Sequence, residues 1–321
     1  MLPKFLTDRY GEFYIYRHSH HIKSPQISVL LSTYNGENWI KESIQSILKQ
    51  DFSDFEFIII DDGSTDNSYH ILENFRKDNR VLLVRQKNIG LTCSLNRALS
   101  LAKGNFIARQ DVDDISLPQR FSRQLAYFAQ YPGTALVGTH CRHIDNNRVI
   151  SNKIAFTPLQ IRKILYHRNI FSHGSVMLYR PIIGDELWYN ETFRYAQDIE
   201  LWCRLARFYD LRILPEVLYL YRSIPSSISN TKLLEQSLYA ALAIKAGRYN
   251  YCTYLCNNDI NSILKSLDNE TRYILTRILL INESPQIAAK LYPKYHLINM
   301  LFRYLSPNIL SLTKKIIKKF R

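Results

Sequence analysis

Short apolar runs and amphipathic stretches alternate along the first 130 residues. Ile27-Ser28-Val29-Leu30-Leu31-Ser32, Phe55 to Ile60, Val81-Leu82-Leu83-Val84 and Phe106-Ile107-Ala108 are bounded by turn residues, the pattern of buried strands. Between them Ile40, Ile44, Ile47 and Leu48 recur at helical spacing and predict a helix over 37–50. Ser64-Thr65-Asp66 offers N-cap chemistry for a helix near 66–78. Leu91, Leu95, Ala98, Leu99 and Ala102 mark another helix, with Gly104 as its stop. This alternation predicts an α/β fold: a mostly parallel, doubly wound, Rossmann-like sheet flanked by helices.

The later pattern is less regular. It predicts a helix after Pro118, strands over 135–138, 175–179 and 217–221, and a helix over 195–208. From about 231 the chain reads as an α-helical C-terminal extension. Residues 1–26 read as a solvated leader; His18, His20 and His21 lie close together there, but no acidic or Cys ligand flanks them. The expected organisation is a leader over 1–26, a main domain over 27–230 with halves 27–125 and 126–230, and a helical region over 231–321.

Composition narrows the chemistry. Of 321 residues 46% are hydrophobic and 22% charged, which marks a globular protein. Basic residues outnumber acidic ones by 42 to 28, a net charge of +14. Such an excess attracts phosphorylated substrates, anionic lipid or nucleic acid. No helix-turn-helix, RNA-recognition or zinc-finger signature accompanies it, so nucleic acid is not an expected partner. Five Cys occur without a C-x-x-C spacing, and Cys252 and Cys256 find no second pair, so reduced thiols in a cytoplasmic protein are expected. Met1 to Arg9 carries no apolar h-region, and no run of about 18 apolar residues exists, so neither a signal peptide nor a spanning helix is expected.

Two strands end in aspartates, at Asp61-Asp62-Gly63-Ser64 and at Asp111-Val112-Asp113-Asp114. In open α/β sheets, ligands bind beyond the carboxyl ends of strands. Carboxylates crowded on one rim repel each other unless a cation or a donor joins them. Alternate residues of an extended segment face the same way, so Asp111 and Asp113 can share one target. Hard cations such as Mg²⁺ or Mn²⁺ take one or two carboxylates plus phosphates. A D-x-D match alone arises often by chance, and a solvated acidic loop is its plainer reading; its place after a strand, downstream of Asp61-Asp62, favours function. Ser32-Thr33-Tyr34-Asn35-Gly36 turns from strand to helix, where backbone donors meet anionic ligands.

Taken together these segments resemble family 2 glycosyltransferases of the GT-A fold. The likeness runs through Ser28 to Gly36, Phe57 to Asp66, Asn88-Ile89-Gly90-Leu91 and Ala108 to Arg120, and covers about 200 residues, to Tyr221-Arg222. It implies that Thr33 lies beside the nucleotide, that Asp62 contacts the base, and that Asp111 holds the ribose or the metal shell. It implies that Asp113 binds Mn²⁺ or Mg²⁺ on the diphosphate of a UDP-sugar. Tyr195 to Leu205 resembles the family's Glu-Asp-x-x-Leu-Trp-x-Arg segment and places the base at Asp198, with Gln197 where Glu is usual and Glu200 as the competing base. His173, in His173-Gly174-Ser175-Val176-Met177, would line the acceptor pocket or serve a structural role. Arg222, before Ser226-Ser227-Ile228-Ser229, would pair with phosphate or remain a surface residue. Arg109 would balance the acids.

The tail adds a second theme. On a helical wheel Ile309, Leu310, Leu312, Ile316, Ile317 and Phe320 share one face, and Lys314, Lys315, Lys318, Lys319 and Arg321 the other. That pattern suits a helix on anionic lipid, or one docked on the protein's own core. The resemblance and the tail together imply an inverting, metal-dependent transferase on the inner face of the cell membrane. It would move one sugar to a hydroxyl of a glycan or lipid-linked acceptor in surface-polysaccharide synthesis. A nucleotidyltransferase would want a Gly-rich, Arg-containing loop after the first strand, which is absent, and a non-catalytic scaffold need not keep every acid.

Overall fold

A computed structural model describes residues 3–17, 24–144, 155–224, 231–249, 263–264 and 267–281. The tail at 308–321, His18, His20, His21, the Ser226 to Ser229 segment, Cys252 and Cys256 lie outside the described residues. The strands are β1 (Lys4–Asp8), β2 (Gly11–Arg17), β3 (Ile27–Thr33), β4 (Phe55–Asp61), β5 (Val81–Gln86), β6 (Phe106–Arg109), β7 (Ile115–Ser116), β8 (Thr134–His143), β9 (Met177–Tyr179) and β10 (Asp210–Tyr221). They form one sheet in the order β1-β2-β5-β4-β3-β6-β9-β8-β10-β7. The helices are α1 (Ile40–Leu48), α2 (Ser68–Glu73), α3 (Leu91–Leu101), α4 (Arg120–Gln130), α5 (Pro158–Leu165), α6 (Arg180–Ile183), α7 (Gln197–Leu205), α8 (Leu233–Tyr249) and α9 (Asn269–Ile281).

Strands β5, β4, β3 and β6 pair in parallel, as the alternation predicts. Their side chains alternate between two cores. Ile27, Val29 and Leu31 of β3 join Ile40, Ile44 and Ile47 of α1 on one side of the sheet; Leu30 joins Leu95 and Ala98 of α3 on the other. Both faces are covered, so the strands read as nearly continuous apolar runs, broken by Ser28 and Glu56, which are buried and bonded to each other at 2.6 Å. Beyond β6 the sheet is mixed: β9 lies antiparallel between β6 and β8, and β7 closes the far edge antiparallel to β10. The second core also receives α7, α8 and α9, through Trp202, Ile244 and Leu275.

Two expectations fail. Residues 4–17 are not a solvated leader: β2 pairs antiparallel with β5, and β1 extends the sheet edge. The fully buried Arg97 of α3 holds this hairpin, with Nε and Nη2 at 2.9 and 2.6 Å from the Asp8 carboxylate and its guanidinium over the Phe13 ring. Neither strand is apolar enough to announce itself: Phe13 and Ile15 are buried, while Leu6 and Tyr16 pack on the core only in part. Gly104 does not end α3 as a left-handed cap; Ala102 is already extended. A Cβ at Gly104 would lie 2.5 Å from Ser28 N and 2.7 Å from Ile27 C, so glycine is needed there for close backbone approach.

Candidate active site

Strand register assembles the site. Thr33 lies opposite Asp61 across β3 and β4, and Leu30 opposite Arg109 across β3 and β6. The Asp61-Asp62 end and the Asp111–Asp114 loop therefore share one rim of the sheet. Asn35 sits there in the left-handed region (φ 56°), a conformation Asn tolerates; its Oδ1 accepts the Thr65 N–H at 2.8 Å and ties the first turn to the second. A Cβ at Gly36 would fall 2.6 Å from Thr33 Oγ1 and 2.7 Å from Val112 Cγ2, so a side chain there would fill the cleft between the two loops.

Asp61 and Asp62 are adjacent and have opposite environments, because successive strand residues face opposite sides. The Asp62 carboxylate accepts three hydrogen bonds: Gln86 Nε2 at 2.7 Å, Ile89 N at 2.9 Å and Gly90 N at 3.0 Å. It clamps the loop before α3. Asp61 is fully buried, its Oδ1 accepts the Ser64 N–H at 3.1 Å, and its Oδ2 has only Arg85 Nε at 3.6 Å, with no hydrogen bond. Burial pushes its carboxyl upward. Thr33 Oγ1, also buried, is without a partner among the described residues. Two buried polar atoms left open at one strand end mark a ligand position.

The Asp111–Asp114 loop rests on a buried polar lattice. Gln110 Nε2 donates to Ser43 Oγ, Asp111 O and Asp114 O at 3.0, 3.1 and 2.9 Å. Beneath it Arg120, fully buried, donates to Ser116 Oγ at 2.8 Å and Val176 O at 3.0 Å. The carboxylates crowd as the sequence implies. Burial first, and then the Asp111 charge, push Asp113 up to about 6 and Asp114 well above the usual range. The described residues hold no group of three His, Cys, Asp or Glu side chains set to bind a metal. Two carboxylates suit a hard cation that takes its remaining ligands from phosphate and water, so Asp111 and Asp113 fit Mn²⁺ or Mg²⁺.

Ala196 adopts a left-handed conformation (φ 55°) at the start of α7, and Asp198 falls in the first turn of that helix. Burial raises the Asp198 carboxyl to about 6, with the Asp111 charge adding to the rise. Asn169 Nδ2 donates to Asp198 Oδ2 at 3.0 Å. Glu200, by contrast, is held by Arg204 of the same helix at 2.9 and 3.2 Å, and Arg204 also donates to the Glu186 and Trp188 carbonyls. Arg204 thus ties α7 to the 186–188 segment, and the Glu200 carboxylate is engaged by that arginine.

His173 Nε2 lies 3.2 Å from Arg109 Nε and 2.8 Å from Tyr189 Oη. Burial and the Arg109 charge keep its pKa well below the ordinary value, so the ring is neutral. Arg109 does more than balance charge: buried, it binds Asp111 Oδ1 at 2.7 Å through Nη2 and the Leu30 carbonyl through Nη1. Gly174 is required beside His173, since a Cβ there would overlap Tyr219 Oη at 1.8 Å. Arg222 is not a plain surface residue. Its N–H donates to Asp114 Oδ1 at 2.8 Å, its Nε to Asp113 O at 3.0 Å and its Nη2 to Glu42, with the guanidinium over Trp39. Arg222 thus braces the acidic loop. Asn169, Tyr189 and Tyr219 carry no sequence signal of their own, because each acts through contacts distant in the chain; Gln110 and Arg120 lie in the segment of resemblance, without an assigned role.

Comparison with known proteins identifies the family and the fold. Residues 28–186 match the model of glycosyl transferase family 2. An uncharacterised glycosyltransferase of Methanocaldococcus jannaschii is 32% identical over 244 residues, covering 73% of this chain and 83% of the relative. The O-antigen biosynthesis glycosyltransferase WbnJ of Escherichia coli is 33% identical over 184 residues, covering 56% of this chain and 71% of the relative. Among solved structures, S. aureus TarS 1–349 in complex with UDP-GlcNAc superposes with a TM-score of 0.58 at 18% identity, covering 83% of each chain. The mannosyltransferase PcManGT from Pyrobaculum calidifontis, in complex with GDP-Man and Mn²⁺, has a TM-score of 0.58 at 17% identity, covering 93% of this chain and 81% of that one. The chain belongs to glycosyltransferase family 2 and has the GT-A fold.

Proposed function

We propose that this family 2 transferase moves one sugar, with inversion, from a UDP-sugar to a hydroxyl of a glycan or lipid-linked glycan. The observation that carries this reading is the placement of Asp198. Its carboxyl, raised to about 6, stands near enough to Asp111 to feel that charge, while the strand-end atoms Asp61 Oδ2 and Thr33 Oγ1 lie buried and open. A carboxylate titrating near 6 is ionised at neutral pH yet basic enough to accept a proton. As the acceptor oxygen attacks the anomeric carbon, its proton passes to Asp198 and the nucleoside diphosphate leaves on the opposite side. Because Glu200 is bound by Arg204, no second carboxylate of α7 is placed to act as a nucleophile, and direct displacement inverts the centre. A divalent cation on Asp111 and Asp113 would supply charge stabilisation for the departing diphosphate.

Base recognition is reassigned in this reading. Asp62 has three protein donors, so Asp61 with Thr33 is the pair that accepts a base N–H. A panel of UDP-, GDP- and TDP-sugars with Mn²⁺, read by thermal shift, tests the donor. UDP-sugars should stabilise the protein most, and Asp61→Asn should abolish the preference. A protein stabilised by none of them would overturn the assignment.

The membrane reading rests on the alternating faces of 308–321 in the sequence. No helix among the described residues is long and apolar enough to cross a bilayer. Peripheral binding predicts that removing 308–321 frees the protein from anionic liposomes; unchanged sedimentation would favour a docked helix.

A further inference from the structure

We propose that Asn169 is the positioning residue of the catalytic apparatus: it holds Asp198 by one oxygen and directs the acceptor's proton to the other. The inference rests on Asp198 being the base. Asn169 lies in the turn after α5, and its amide orientation is set from both ends. Oδ1 accepts the Phe171 N–H at 3.1 Å, so the NH₂ group must face Asp198, where Nδ2 meets Oδ2 at 3.0 Å. A backbone donor therefore fixes the rotamer that an isolated Asn would leave free. This is the orienting arrangement by which a base is aligned through a third group.

The turn is itself anchored from the C-terminal helices. Arg248 of α8 donates to the Tyr166 carbonyl, and both Arg248 and Arg277 of α9 reach His167 Nδ1, at 3.2 and 3.0 Å. From α7, Cys203 Sγ contacts the Leu165 carbonyl at 3.8 Å. Gly247 of α8 lets the helix close on Cys203, since a Cβ there would meet Cys203 Cβ at 2.6 Å. The helices beyond the matched family segment thus hold the segment that holds the base.

An amide N–H on a carboxylate favours its charged form, so removing it raises the carboxyl pKa. The groups that face Asp198 besides Asn169 are Asp111 from the loop after β6, Tyr189 from the segment before α7, and Cys203 within α7, with Arg248 of α8 behind Cys203. The backbone N–H groups of Ile199 and Asp198 at the start of α7 also favour the charged carboxylate, and Asn169 is the side-chain donor to it.

The test is a carboxyl ¹³C titration of Asp-labelled protein, with Asp198 assigned by the signal lost in Asp198→Asn. In the parent Asp198 should titrate near 6; in Asn169→Ala it should move up by about one pH unit. Asn169→Asp keeps the shape, adds a like charge and should move it further; this variant serves if the alanine form does not fold. UDP affinity with Mn²⁺, read by calorimetry, should stay within about threefold in both. An unmoved Asp198 titration would overturn the proposal, as would a loss of UDP binding equal to that of Asp113→Asn. The titration is independent of the base assignment, which stands or falls on whether Asp198→Asn retains turnover.

Discussion

The strand-end part of the site, proposed to hold the nucleotide, and the part around Asp198, proposed to face the acceptor, are built by different means. In the first, Thr33, Asp61, Asp62 and Asp111 to Asp114 stand at or just beyond the ends of neighbouring parallel strands, so register alone brings them together. In the second, Asn169, His173, Tyr189 and Asp198 come from a turn, a short 3₁₀ segment, a loop and a helix start, joined by side-chain contacts. A strand-end site tolerates much variation around it, because backbone pairing sets its geometry. A site gathered from loops depends on each contact that fixes a loop. Substitutions in the first half should therefore act on donor binding, and those in the second on turnover.

The sharpest break in that comparison is Asp198→Asn. It removes the proposed proton acceptor and should lower turnover by about 10³-fold, while UDP affinity with Mn²⁺ changes little. Comparable loss of UDP binding would merge the two halves into one functional unit.

Asp113→Asn acts on the donor side and should weaken UDP binding in Mn²⁺ by about a hundredfold, read by calorimetry. It also has a stability signature. Asp113 is raised above its unfolded value near 4, to about 6, by burial and Asp111. The folded protein thus holds a proton that the unfolded chain has released, and this stabilisation, full below about pH 4, is lost as pH rises through 6. Without nucleotide or metal, Asp113→Asn should raise Tm at pH 7.5 by about 2–4 °C and flatten the fall in Tm between pH 4 and 6. A lower Tm would mean that the carboxylate is already compensated in the free protein.

Glu200→Gln should do least. Its carboxylate serves Arg204, so turnover should stay within about threefold, with a modest loss of stability. A fall in turnover matching that of Asp198→Asn would move the base to Glu200.

How much was legible follows the same division. The parallel core from β3 to β6 was visible because doubly buried strands are mostly apolar runs and their helices carry a clear stripe. The hairpin at 4–17 was not, since its strands bury only alternate residues and its anchor, Asp8 to Arg97, spans 89 positions. The acid clusters announced themselves by spacing, but their division of labour did not. Asp61 and Asp62 are one residue apart and chemically identical in sequence; only the sheet shows which side each faces and that Ile89 and Gly90 already satisfy Asp62.

The sequence by itself determined the strand and helix periods, the strand-end acids and the family, because all of these are local in the chain. The tertiary structure decided which carboxylate is open, which is bound and which is tuned near neutrality, because burial, hydrogen-bond supply and neighbouring charge come from residues brought together by folding. Asp198 shows the difference: its position was readable in a motif, while Asn169 beside it and Asp111 across from it were brought there by the fold.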